Sequence, residues 1–266
     1  MTVVRLLKRL RENYYLGNAL AAVTYPVQAA SERVSAEIKR KVKRNGVSIR
    51  LPNGQILRLA RDAGIAISSL LFWHGLDGYE PQTSKTLRFF FERSATFVDV
   101  GANYGYYSIL AGLWNSDLRI VSFEPVPEIY EALNRNISLN RLQARVAAFN
   151  LALSDRSGRA TFFLPPSESK DCEATGTLVQ DGWQSRKQSP SFEIETARFD
   201  DFEHLHPMKV DVVKIDVEDF EYGVLRGMQE VISRDRPFII CEILPREHRN
   251  QKTKEILELL RDILNK

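Results

Sequence analysis

The sequence predicts a doubly wound, Rossmann-like α/β sheet with helices on both faces and a helical and hairpin appendage in front of it. Two observations lead there. From Ala95 onward, continuous apolar runs alternate with segments whose apolar residues recur at helical spacing. Carboxylates and a glycine turn follow those runs, where an open α/β sheet places its ligands.

The appendage comes first. Val3, Leu6, Leu7, Leu10 and Tyr14 repeat at helical spacing among Arg5, Lys8, Arg9 and Arg11, giving a basic amphipathic helix. A second basic helix is expected over 31–44. "VSIRLPNGQILRLA" then reads as two β-rich runs joined at Pro52-Asn53-Gly54, a hairpin. These elements make an appendage over 1–78, and 79–266 forms the main domain.

Within that domain strands are expected at 95–100, 118–123, 145–150, 210–215 and 237–243. Pro127 opens a helix carrying Ile129, Leu133 and Ile137, and a second helix carries Phe220, Val224, Met228 and Ile232. An insertion over 155–205 interrupts the alternation. It holds two short strands, "ATFFL" and "FEIET", around a Pro/Ser/Gly-rich segment from Pro165 to Ser191 that contains Trp183, and a loop of this length suggests a functional role.

Composition narrows the class. The chain has 266 residues, 44% hydrophobic and 27% charged, as a soluble globular protein has. A net charge of +3 gives no nucleic-acid footprint, but residues 1–44 carry ten Lys/Arg against three Glu. That basic front end suits a membrane surface, an acidic partner or an acidic substrate, and equally a solvated helix. Cys172 and Cys241 make neither a disulfide framework nor a zinc set, His204 and His206 lack a third ligand at useful spacing, and no resident metal is expected. No apolar stretch approaches the roughly 18 residues of a membrane span. The expected location is the cytoplasm, with the basic helix as a peripheral contact to the inner membrane face.

The chemistry concentrates after the strands, at Asp99, Glu124, Asp155 and Asp216. In "FVDVGANYGYYS", Gly101 and Gly105 would let backbone approach a ligand closely. Their G-x-x-x-G spacing lacks the third glycine of a dinucleotide turn, and an acid at its mouth would repel pyrophosphate and favour an amine. Glu124 stands 25 residues after Asp99, suited to accept hydrogen bonds from a ribose diol. Ribose and amine without phosphate point to S-adenosyl-L-methionine. The same architecture serves nicotinamide-dependent oxidoreductases, which the missing glycine and Asp99 disfavour. A non-catalytic binding module is the other alternative.

"FVDVGANYGYYS", "VSFEPVPEIYEALNRNISLN", "LALSD" and "VVKIDVEDFEYGVLRGM" followed by "RPFIICEI" resemble the FkbM-type S-adenosylmethionine-dependent methyltransferases, in order, from Tyr79 to Glu242. The resemblance implies the class I methyltransferase fold and methyl transfer to oxygen, typically a hydroxyl of a sugar, glycan or polyketide-like metabolite. It places Asp99, Gly101, Asn103 and Gly105 at the methionine end of the cofactor, Glu124 at the ribose, and Ala152 and Asp155 beside the adenine. The sequence departs from that family at Asp219, where glycine is usual, and the family's terminal strand pair is not visible before Lys266.

Lys214, Asp216 and Glu218 fall on one face by strand alternation. Asp216 is the first choice for general base or acceptor anchor, Glu218 the second, and His74 in "FWHGLDGYEP" the third. Asp219 and Glu221 sit where acids simply offset a helix dipole.

Overall fold

A computed structural model describes residues 46–60, 65–163, 177–178, 191–243 and 249–265. The expected helices at 3–14 and 31–44, and Trp183, lie outside the described residues. The chain divides into two compact units, Met1–Ser84 and Lys85–Lys266. The first holds the antiparallel hairpin of β1 (Val47–Arg50) and β2 (Ile56–Leu59), then α1 (Ile65–His74) and a short 3-10 turn, Gly75–Gly78. The hairpin turns where Pro52-Asn53-Gly54 predicts. The Gln55 N–H donates to Asn53 Oδ1, and Gly54 takes φ +86°. Helix α2 (Pro81–Phe91) crosses from one unit to the next in sequence.

The second unit is built on five parallel strands, β3 (Thr96–Val100), β4 (Arg119–Phe123), β5 (Val146–Phe149), β9 (Val212–Ile215) and β10 (Phe238–Cys241), in the order β10-β9-β3-β4-β5. Each falls within two residues of its expected start and end. Continuous β-branched and aromatic runs leave few alternatives for a strand covered on both faces. A separate three-stranded sheet, β6-β8-β7, joins β6 (Ala152–Leu153), β7 (Gly158–Phe163) and β8 (Ser191–Ala197) and contains the two short strands of the insertion.

Helices cover both sides of the five-stranded sheet. On one face Val98, Val100, Val121, Phe123, Val213 and Ile215 pack against α5 (Phe199–Leu205), α6 (Glu221–Arg226), α7 (Gln229–Asp235) and α8 (Arg249–Leu264). On the other lie α3 (Tyr106–Trp114) and the Phe91 ring of α2, its centre 4.9 Å from that of Phe97 and tilted 60° to it. Helix α4 (Pro127–Leu139) begins at Pro127 as predicted.

The helix expected through Phe220 and Ile232 is instead two short ones. A Cβ on Gly227 would overlap the Ser154 carbonyl, so the chain is pinned there. The Asp200 carboxylate then accepts the Glu230 and Val231 N–H groups and starts α7 afresh. His204 occupies the last turn of α5, 3.4 Å from Glu230. Cys241 is partly buried on β10, and burial pushes its thiol up to about 12.

Candidate functional site

Strand order reverses between β3 and β9, so the crevice of this sheet opens beyond Val100 and Ile215. The glycine turn leaves β3 at that point. The Gly101 and Ala102 N–H groups both donate to the Phe123 carbonyl, and Gly105 N–H donates to Ala102. Gly101, Asn103 and Gly105 all take left-handed φ, at +76°, +52° and +84°. Asn103 tolerates this because its Oδ1 accepts the Tyr104 N–H, a local bond that asparagine is suited to make.

Both glycines also lie close against other parts of the chain. A Cβ on Gly101 would overlap the carbonyl oxygen of Asp216, and one on Gly105 would overlap Leu133. Gly101 lets the segment after β9 pass against the turn, and Gly105 lets α4 seat against the start of α3.

Asp99 does not stand at the mouth of the turn. It is fully buried, with Oδ2 accepting the Ser108 hydroxyl at 2.5 Å and Oδ1 without a partner. Sheet register explains this. Ser122, Asp99 and Lys214 are aligned across β4, β3 and β9 and make a buried polar row on the α3 face. Ser108 bonds Ser122 at 2.8 Å, and Lys214 Nζ lies 5.0 Å from the centre of the Tyr107 ring. Burial raises the Asp99 carboxyl above the usual range, against the Lys214 charge and the Ser108 bond, which act to lower it.

Lys214 also reaches Asp216, with Nζ 3.0 Å from Oδ2 and the Lys214 side chain 6% exposed. Burial alone would raise the Asp216 carboxyl. The Lys214 ammonium and a hydrogen bond shared with the Glu242 carboxyl outweigh it and hold Asp216 below the usual range. Asp216 is thus a charged carboxylate, partly exposed, beside the glycine turn. Lys214 is the residue that sequence reasoning left unassigned. Its place on the Asp216 face was legible, but its register with Asp99 was not.

Glu124 closes the other side of the turn. Its Oε2 accepts the Asn103 N–H and its Oε1 the Val126 N–H, both at 2.9 Å. Burial pushes its carboxyl up to about 7 despite those two bonds. Asn150 supports the same strand end by donating to the Glu124 and Pro125 carbonyls. The charges of Asp99 and Asp216 act on Glu124, so these three acids share one environment.

Asp155 sits apart from that group. It follows β6, which pairs with β8 and not with the central sheet, and it faces Arg156 and Arg226 at 3.8 Å. Ala152, from the same strand, is buried beside Val126 and Ile129, with Tyr104 packed against them, so an apolar wall adjoins Glu124. Glu218 and Asp219 continue from Asp216 with left-handed φ of +53° and +81°. Each such non-glycine residue costs on the order of 1–3 kcal/mol. His74 ends α1 and belongs to the first unit.

The sequence matches the Methyltransferase FkbM domain over residues 99–265, more than half of the chain. It is 29% identical over 155 residues to Methyltransferase sdnD of Sordaria araneosa, covering 50% of this chain and 60% of that one. It is 28% identical over 163 residues to Hexuronic acid methyltransferase AglP of Haloferax volcanii, covering 61% and 59%. The chain spans about three fifths of the length of these curated relatives. The crystal structure of Methyltransferase FkbM from Methylobacillus flagellatus superposes with a TM-score of 0.45 at 17% identity, over 77% of this chain and 50% of that one. On the domain match, from Asp99 in β3 to the residue that follows α8, the chain belongs to the FkbM methyltransferase family.

Proposed function

We propose that this chain is an S-adenosyl-L-methionine-dependent O-methyltransferase whose acceptor is a hydroxyl of a sugar, a glycan or a secondary metabolite. The observation that carries this reading is the paired arrangement of Glu124 and the glycine turn at the strand-order reversal. Each Glu124 oxygen accepts one backbone N–H and retains a second lone-pair site, so a ribose diol finds two acceptors on a fixed carboxylate. The apolar wall at Ala152 suits a flat base. Partly exposed Gly101 and Asn103 leave backbone accessible for the amino-acid end. The residues present therefore fit the cofactor. Asp99 serves them from beneath, by fixing Ser108 and balancing Lys214, without touching a ligand.

The bound cofactor supplies a methyl group already activated as a sulfonium. The work left to the chain is alignment of an acceptor oxygen, which can supply roughly 7–11 kcal/mol. Asp216 suits that task. A general base works best with a pKa near the working pH, and the depressed value of Asp216 makes it a better anchor than base. Its carboxylate accepts the acceptor's O–H and orients the oxygen, with Glu218 as the second group on the same turn. A relative named for hexuronic acid methylation supports a sugar acceptor.

Calorimetric titration tests the cofactor and methyl transfer to a panel of hexuronate-containing glycans tests the acceptor. Micromolar binding of S-adenosylhomocysteine is expected. Tight NAD binding in its place would overturn the reading.

A further inference from the structure

The segment after β9 is held at both ends. At its start, Asp216 N–H donates to the Val100 carbonyl at 3.1 Å, and the Asp216 carbonyl packs on Gly101. At its far end, Glu221 Oε1 accepts the N–H groups of Val217 and Asp219 at 3.3 and 3.1 Å. Between them Glu218 and Asp219 are consecutive left-handed residues, and neither is glycine. A conformation of this kind persists only where its surroundings over-determine it.

The Asp219 side chain reveals one such constraint. It is 4% exposed, and its Oδ1 lies 2.9 Å from Nζ of Lys252, in the first turn of α8. A cation there opposes the helix dipole, and that turn contains no acid of its own. Asp219 supplies the missing negative charge from outside the helix. Helix α8 is in turn fixed to the sheet, because Ile256 and Ile263 are buried in the core shared with Val213 and Ile215. Lys252 is therefore a cation held at a set place, and Asp219 is the residue it engages.

We propose that Asp219 and Lys252 are a positioning pair, in which the C-terminal helix holds the left-handed turn that carries Asp216 and Glu218 to the crevice. Its consequence for turnover rests on the proposed role of Asp216. The brace itself does not depend on that reading.

Hydrogen exchange on the full chain tests it through the Val217 and Asp219 amides. Lys252→Met and Asp219→Ala are expected to speed their exchange by about tenfold or more, as local opening does. Lys252→Arg should restore it to within about threefold of wild type. Asp219→Gly separates strain from charge, because glycine adopts φ near +80° without a partner, and its exchange should stay near wild type. Lys252→Met added to Asp219→Gly should then be silent.

Unchanged exchange in Lys252→Met would overturn the proposal. So would equal loosening by glycine and alanine at 219, or a rise spread evenly over the whole second unit. S-adenosylhomocysteine affinity is measured beside it and should be unaltered by Lys252→Met. Failure of the wild type to bind that compound would contradict the cofactor reading and leave the exchange result to decide the brace.

Discussion

Glu124 Oε2 accepts the backbone N–H of Asn103 at 2.9 Å, tying the end of β4 to the left-handed residue of the glycine turn. The acid that reads from sequence as a ribose ligand is thus also a strut of the turn. Its carboxyl is raised by burial from 4.5 to about 7, so the fold binds this proton more tightly than the unfolded chain does. The Glu124 contribution to stability is full below pH 4.5, falls between 4.5 and 7, and levels off above 7, a change on the order of 3 kcal/mol. Glu124→Gln does not titrate. Urea unfolding should show wild type losing stability relative to Glu124→Gln from pH 5 to 7, and a constant difference would contradict this. Cofactor affinity should run the other way. Ribose hydroxyls donate to the charged form, so S-adenosylhomocysteine should bind more tightly as pH rises through 7.

Lys214 balances two buried or half-buried acids from the middle of the sheet. Lys214→Met leaves Asp99 and Asp216 without their cation and should cost about 3–5 kcal/mol in urea unfolding. Asp216→Asn on that background should recover part of the loss, because it removes one of the stranded charges. Additive losses in the double-mutant cycle would show that the 3.0 Å contact carries no coupling.

The central strands were legible because they are continuous apolar runs, and hidden strands of a covered sheet have little freedom to be anything else. Asp99 was legible as an exception to such a run but not in its direction. Alternation assigns it to a face, and only pairing with Lys214 and Ser122 from strands far away in sequence makes that face an interior one. The break at Gly227 was hidden for the same reason, since the Ser154 carbonyl that it abuts follows β6, a strand of another sheet. The Lys252–Asp219 pair spans 33 residues and has no local signature. Spacing and pattern show which residues share a face; they do not show what stands opposite.

Gly101 and Gly54 have similar left-handed φ, +76° and +86°, and opposite surroundings. A Cβ on Gly54 meets nothing within 4 Å, whereas one on Gly101 strikes the Asp216 backbone. Gly54→Ala should therefore cost only the conformational penalty, about 1–2 kcal/mol. Gly101→Ala should add displacement of the segment carrying Asp216 and abolish S-adenosylhomocysteine binding. Equal losses in thermal melts, with binding retained, would mean that the turn gives way without disturbing its neighbour.

Asp216→Asn separates the parts assigned to the two halves of the crevice. Glu124 and the glycine turn make no side-chain hydrogen bond to Asp216, and its N–H bond to Val100 survives the substitution. S-adenosylhomocysteine affinity should therefore stay within about threefold of wild type. An asparagine still accepts through its oxygen but loses the charge that Lys214 and Glu242 stabilise, and it removes one of the two acids that Lys214 balances. Charge-assisted bonds contribute about 1.5–3 kcal/mol, so methyl transfer should fall by roughly tenfold to a hundredfold, mainly in kcat. The pH profile discriminates further. An anchor that is charged well below neutrality gives no acidic limb between pH 6 and 8 of its own, so any limb there should persist in Asp216→Asn and vanish in Glu124→Gln. A limb that disappears with Asp216→Asn instead would make Asp216 the proton acceptor, and the anchor role would be wrong.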